Sequence, residues 1–206
     1  MGPSNILPSH SSKERSLTRW VHRRLGSVGH ESRVLVLAEQ LYRLTHVKHR
    51  LGRFDRRMLR LGALVHDVGR AVCDRRHPQI GCEMLLVDRL LPLSDLERRC
   101  LAYLTRHHRG AVPEVGYDDI LKPTDPRRAM RQVLAILRAA DALDGRQHDA
   151  PAVRFKLRDG KLKIRCHLAT DCRRAKKFFS RRKKFRLLEE LLGVKVDLGV
   201  RESTSV

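Results

Sequence analysis

The sequence predicts a mainly α-helical fold, a helical bundle over residues 14–148 followed by a small, basic α+β unit of ββαβ order over 149–200. Three observations predict it. Apolar residues recur at steps of three and four up to Leu137, which stacks them on one face of successive helices. From Val153 the period changes to strict alternation around Asp159-Gly160, the pattern of a β-hairpin with a tight turn. Ser94-Asp-Leu-Glu97 has the S-x-x-E form of a capping box and marks a helix start inside the first region.

Residues 1–13 read as a loose arm, and 14–25 and 29–46 as helices, the second with Val34, Leu37, Leu41 and Leu44 in register. His30 lies four residues before Val34 and shares its stripe. Residues 54–69 form a third helix through Met58, Leu61, Val65 and Val68, stopping near Gly69, with His66-Asp67 in its last turn. A loop holding His77 follows, then a helix from Pro78 to Leu91 ended by Pro92, then one from Asp95 to Arg109 with Leu96, Cys100, Leu101 and Leu104 inward and His107 and His108 at its end. Residues 111–126, rich in Pro, Gly and Asp, read as a long loop of the kind that covers a site. A helix over 127–145 carries Met130, Val133, Leu134 and Leu137, and Asp141 falls one step further on that face. The hairpin over 153–168, a helix over 172–192, a closing strand over 193–200 and a tail over 201–206 complete the chain.

Composition narrows the function. Against 23 acidic residues stand 44 Lys and Arg, a formal net charge of +21, and such a field attracts phosphate-bearing partners. No apolar run approaches the roughly 20 residues of a membrane span, and the N-terminus lacks the basic-then-apolar order of a secretory signal, so the expected location is the cytoplasm. Five cysteines without a C-x-x-C pair read as reduced packing residues.

An inward carboxylate must be paired, hydrogen-bonded or bound to metal, because burying its isolated charge is prohibitively costly. His30, His66, Asp67, His107, His108 and Asp141 all fall on or beside inward faces, with His77 between, and helices of a bundle can bring them to one point. Imidazole and carboxylate without thiolate suit a divalent ion, Mn, Fe, Co, Ni, Mg or Zn, with positions open for water and substrate.

His30, His66-Asp67 and Asp141 in that order resemble the H…HD…D signature of the HD superfamily of metal-dependent phosphohydrolases, an all-helical fold. "HPQIGCEML" (77–85) is similar to the H-P-x-x-G element of its two-metal members, and "RHHRG" (106–110) to their His-containing element. The resemblance implies one or two ions and adds His77, His107 and His108 to the ligands. It gives Asp67 the role of bridging two ions, with Asp141 and His30 completing the first. Arg70 and Arg109, which follow ligand elements, become candidates to neutralise charge growing on a phosphoryl group. A closer resemblance over about residues 20–200, carried by "LVHDVG", "YLTRHHRGAVPE", "LAILRAADALDGRQ" and "VRFKLRDGKLKIR", is to the C-terminal helical region of the exopolyphosphatase and guanosine pentaphosphate phosphohydrolase family. Those enzymes carry ATPase-like catalytic domains before this region. Only a short arm precedes it here, so the expectation is a standalone unit whose chemistry comes from the HD site.

The appended unit presents a second feature. Arg154, Lys156, Arg158, Lys163 and Arg165 share one hairpin face, and "RRAKKFFSRRKKFR" (173–186) adds Lys176, Lys177, Arg181 and Arg182. Such a surface suits sequence-independent phosphate contacts. Two functions therefore stand: a metal-dependent phosphohydrolase acting on a nucleotide, a guanosine polyphosphate or polyphosphate, or a non-catalytic module that binds polyphosphate or nucleic acid around a structural metal site. The oligomeric state, a homodimer included, is left open by the sequence.

Overall fold

Ser94 accepts a hydrogen bond from the Glu97 backbone N–H at 3.3 Å while the Glu97 carboxylate accepts from the Ser94 N–H at 2.9 Å, so the predicted capping box forms and starts a helix at Asp95. The same arrangement recurs at Ser11 and Glu14 and starts the first helix at Ser12, two residues before the sequence-based boundary. Ser94→Ala leaves the Glu97 N–H without its cap, and about 1 kcal/mol of stability is the expected loss, read as a lower midpoint in urea unfolding.

The computed structural model describes residues 11–146, 150–169 and 173–202. The helices are α1 (Ser12–Leu25), α2 (Gly29–Leu44), α3 (Arg53–Val65), α4 (His77–Val87), α5 (Asp95–His107) and α6 (Arg127–Leu143). Then follow β1 (Ala152–Arg158), β2 (Lys161–Leu168), α7 (Arg173–Phe179), α8 (Arg186–Leu192) and β3 (Lys195–Glu202). The predicted class, a mostly helical chain with a small C-terminal sheet, is the observed one. Helix α3 packs on α1, α2, α5 and α6, α4 packs on α5, and α6 also carries α8. The apolar residues of the bundle and of the sheet side, among them Ile164, Phe185 and Leu188, join one core.

Alternation produced the hairpin in the predicted register. Leu162, Ile164 and Cys166 are buried, Lys161 and Lys163 exposed, and Asp159 and Gly160 both take positive φ, 50° and 71°, as a two-residue hairpin turn requires. Strand β2 lies in the middle, antiparallel to β1 and parallel to β3, and α7 and α8 lie in the crossover between β2 and β3.

Helices α2, α5 and α6 end two residues earlier than the sequence reading gives, and three stretches differ from it more. The third helix stops at Val65, with His66 as its last capping residue, and a 3₁₀ turn over Val68–Ala71 follows. The cause is close packing, because Gly69 sits against the His77 carbonyl and the Gly81 N–H of α4. Helix α4 starts at His77, which is helical rather than in a loop, and ends at Val87, where Asp88 turns out of helical geometry and accepts from the Leu90 N–H. Buried Arg98 donates to the carbonyl of Leu85 in the last turn and to those of Asp88 and Leu91 beyond that end. The predicted helix over 172–192 is two, separated by a 3₁₀ turn over Arg182–Phe185. Phe179 and Phe185 are both buried but six residues apart, which would put them about 120° apart on one helix. The break at Ser180, whose hydroxyl bonds the Lys176 carbonyl at 2.7 Å, lets both face inward. The proposed start at Cys172 lies outside the described residues.

Cys73, Cys82, Cys100 and Cys166 are free, as expected of packing residues. Among the described residues no helix is long and apolar enough to cross a membrane.

Candidate metal centre

Four imidazoles reach the middle of the bundle from four directions. His30 comes from the first turn of α2, His66 from the end of α3, His77 from the first turn of α4 and His108 from the end of α5, and all four are buried. Each has its Nδ1 against an oxygen: His66 on the Ala63 carbonyl at 2.9 Å, His77 on Asp74 at 2.6 Å, His108 on Thr105 at 2.7 Å and His30 on the Asp144 carboxylate at 2.5 Å. A neutral ring carries one proton, and these partners hold it on Nδ1. The four Nε2 lone pairs then point into the centre.

They meet other lone pairs there. His30 Nε2 is 3.2 Å from His66 Nε2, and Asp141 Oδ1 lies 3.4 Å from the first and 3.6 Å from the second. His77 Nε2 is 3.1 Å from His108 Nε2, and Asp67 Oδ1 lies 3.1 and 3.3 Å from them. That Asp67 oxygen is buried with no hydrogen-bond donor. Ligand bonds of about 2.1 Å set neighbouring donors roughly 3.0–3.4 Å apart, so both triangles have the size and the donor chemistry of a divalent-ion site. Asp67 lies between them, its Oδ2 at 3.6 Å from His30 Nε2.

The electrostatics distinguish the two triangles. Burial pushes His108 down to about 4 despite its Asp67 contact, which keeps its ring neutral near pH 7. Burial alone would raise the carboxyl groups of Asp67 and Asp141, but the surrounding histidines hold both well below the usual carboxylate range. Burial also lowers His30, but its bonds to Asp141 and Asp144 outweigh that and raise it to about 9, so without another cation this ring competes for the proton.

The predicted ligands therefore divide. His30, His66 and Asp141 form one group, and Asp67, His77 and His108 the other. His107 belongs to neither. Its ring lies against Tyr103, centroids 4.9 Å apart, and its buried Nε2 has no partner among the described residues. Arg70 donates from Nε to Asp67 Oδ2 at 2.6 Å and also pairs with Asp74, and Arg109 stands 4.0 Å from Asp141 with its side chain 43% exposed.

Sequence reasoning missed the supporting residues. Asp144, one turn beyond Asp141, holds His30 and is itself held by Arg33 at 2.5 Å. Arg146 donates to Asp67 Oδ2 at 3.2 Å and pairs with buried Glu31, the neighbour of His30. The i+3 spacing of Asp144 was the available signal. Nothing in the pattern pointed to Arg146.

Residues 18–179 match the family model of Ppx/GppA phosphatase, domain III. The chain belongs to that family. The Ppx/GppA domain III match spans every residue of both triangles and stops short of Arg181. No curated protein matches the chain.

The basic residues sort differently. Arg154, Lys156, Arg158 and Lys163 are exposed, but Arg165 is engaged by Asp197 of β3, to which it donates at 3.1 Å. Lys177 is exposed and Lys176 half-buried, and Arg182 pairs with Glu189 at 2.8 Å. The 111–126 loop, expected to cover the site, is tied to α5 and α6, with Asp125 on Arg99 and the Pro113 carbonyl on Arg131. Arg181, Lys183, Lys184 and Arg186 instead line a cleft with Asp141 and His108.

Proposed function

We propose that the chain is a metal-dependent phosphohydrolase of the HD type, acting on a phosphorylated polyanion such as a nucleotide, a guanosine polyphosphate or polyphosphate. The observation that carries this reading is the pair of lone-pair triangles joined through Asp67. Without a cation, Asp67, His77 and His108 set unprotonated donors against one another inside a dry core, which is costly, and the other triangle is relieved only by a proton on His30. Family membership supports a phosphate-bearing substrate.

His30, His66 and Asp141 would hold one ion, and Asp67, His77 and His108 the other. Divalent ions there lower the pKa of water and polarise phosphoryl oxygens. The chain's own residues do the rest. The Ala63, Asp74 and Thr105 carbonyls and Asp144 fix the imidazole tautomers, and Arg70 and Arg146 orient the Asp67 carboxylate through its Oδ2. Arg109, exposed beside Asp141, faces negative charge growing on the phosphoryl oxygens. In the hydrolysis the water oxygen bonds to phosphorus, the bond from phosphorus to the leaving oxygen breaks, and the water's proton is transferred to the leaving group or solvent.

A non-catalytic polyanion-binding module has one observation in its favour. Across β1 and β2, Lys156 opposes Lys163 with no ion pair to either among the described residues, whereas Arg165 and Lys161 pair with Asp197 and Arg158 with Asp159, and directly opposed like charges are unfavourable unless an anion lies over them. One experiment separates the readings. Metal analysis of the purified chain is followed by phosphate release from nucleotides, guanosine tetraphosphate and polyphosphate, with and without chelator. About two ions per chain and chelator-sensitive release are expected. A metal-free, inert chain that binds polyphosphate or RNA through Lys156 and Lys163 would replace the enzyme by the module.

A further inference from the structure

The cleft beside the metal centre has a charge that the triangles do not use. Asp141 and His108, one from each triangle and both buried, line it together with Arg109, Arg138, Arg181, Lys183, Lys184 and Arg186. Its volume, about 580 Å³, falls within the roughly 300–1,000 Å³ of small-molecule sites. Six cations thus face one carboxylate. Among the described residues, Arg109 at 4.0 Å from Asp141 is the ion pair these six make. Arg138 donates to the carbonyls of His107 and Gly110 at 3.2 and 2.9 Å, which fixes its position and leaves its charge uncompensated.

The far wall is held in place by Phe178. Its ring lies so close to Gly145 that a Cβ there would stand 3.0 Å from Cδ1. On the same ring sit the Arg181 guanidinium and the Lys184 ammonium, each 5.1 Å from its centroid. The ring therefore fastens the 181–186 segment to the end of α6, four residues beyond Asp141. A cluster of like charges so placed repels itself and is stabilised when anions enter.

We infer that this cleft is a binding site for a second phosphate of the substrate, so that the 181–186 segment is part of the active site and selects among phosphorylated substrates by what lies beyond the scissile group. The inference rests on the phosphohydrolase reading and assigns what lies beyond the scissile group. One phosphoryl group at the metal triangles leaves Arg138, Arg181, Lys183, Lys184 and Arg186, which line the same cleft as Asp141 and His108, for a further phosphate linked to it. The hairpin also carries a cavity, about 400 Å³ and lined by Lys156, Arg158, Asp159, Lys161 and Lys163, but no residue of either triangle lines it.

Two measurements on the full chain test this. The first is calorimetric binding of imidodiphosphate and of orthophosphate in the presence of chelator. Imidodiphosphate is expected to bind at least tenfold more tightly, and Arg181→Met with Lys184→Met to remove at least that advantage. Lys48→Met with Arg50→Met, an equal charge loss in an exposed connection, is expected to preserve it. The second is the ratio of kcat/KM for tripolyphosphate to that for phenyl phosphate with metal present. In the cleft variant it falls at least tenfold through KM, and ATP in place of tripolyphosphate shows whether a nucleoside adds to the discrimination. Lys183→Met with Arg186→Met, both exposed positions, serves as the second pair if the first lowers the melting temperature. Equal binding of the two anions, or cleft variants that match the Lys48/Arg50 control, overturns the inference. Imidodiphosphate binding that depends on the cleft, with no turnover of any substrate, retains the cleft as a linked-phosphate site and removes the phosphohydrolase reading.

Discussion

Asp67→Asn is expected to reduce the metal content of the chain from about two ions to one or fewer and to lower turnover by about a thousandfold or more. The substitution is nearly isosteric, so it opens no cavity around a fully buried side chain. What changes is charge and lone pairs. The carboxylate offers Oδ1 to His77 and His108 and Oδ2 to the His30 side, whereas an amide can present only one oxygen and sets a donor in the other place. A donor facing Arg70 and Arg146 is repelled, and one facing the Nε2 lone pairs of His77 and His108 satisfies them with a proton and displaces a cation. Both orientations destroy one half of the bridge. Asp144→Asn supplies the comparison: Asp144 belongs to neither triangle but holds His30 through Nδ1, so a loss of about 10–100-fold in metal affinity is expected, clearly smaller than at Asp67. Metal content by elemental analysis and phosphate release by colorimetric assay read both. An Asp67→Asn chain that retains two ions and full turnover would show that the shared carboxylate is not what the chemistry uses.

The helices were legible because a 3.6-residue period leaves a mark at every turn, and the hairpin because a two-residue period does the same at every second residue. Caps were legible where both partners are local, as at Ser94 and Glu97, and the Ser11–Glu14 box carried the same signal. His77, read in a loop, was collected through the resemblance of its H-P-x-x-G element, whereas His30, His66, Asp67, His108 and Asp141 could be collected because each sits on or beside an apolar stripe. His107 was collected on the same ground and turned away, since the residue at the very end of α5 and its neighbour project in different directions and only His108 can face Asp67. The cleft was not legible at all. It depends on the break at Ser180, which the run of cations and apolar residues over 173–192 conceals, and on the seat of Phe178 against Gly145, a contact between distant parts of the chain. Arg146 was hidden for a related reason. Its partners Glu31 and Asp67 lie more than seventy residues away in either case, 115 and 79 positions, where no local period reaches.

The same distinction between local pattern and close approach gives the second large effect, at Gly69. This glycine has no unusual φ, so its conformational freedom is not the reason for its identity. The reason is space. A methyl group there would overlap the His77 carbonyl oxygen and stand 2.6 Å from the Gly81 nitrogen, and both obstacles are backbone, which cannot rotate aside. Either the Val68–Ala71 turn or the start of α4 must move. Asp67 lies two residues before Gly69, and His77 is the first residue of α4, so the movement that relieves the clash separates Asp67 Oδ1 from His77 Nε2, now 3.1 Å apart. Gly69→Ala is accordingly expected to cost about 2–3 kcal/mol in urea unfolding of the metal-free chain and to remove the ion held by Asp67, His77 and His108 while the other is retained. Gly81→Ala offers the control within the same contact. Its nearest obstacle is the Thr105 side-chain methyl at 2.8 Å, one side-chain atom in place of backbone, and the Gly69 nitrogen is 3.3 Å away, so a smaller loss of about 1 kcal/mol is expected. Equal stability and two bound ions in Gly69→Ala would mean that the approach of the turn to α4 does not position His77, and that the triangle owes its shape to the helices alone.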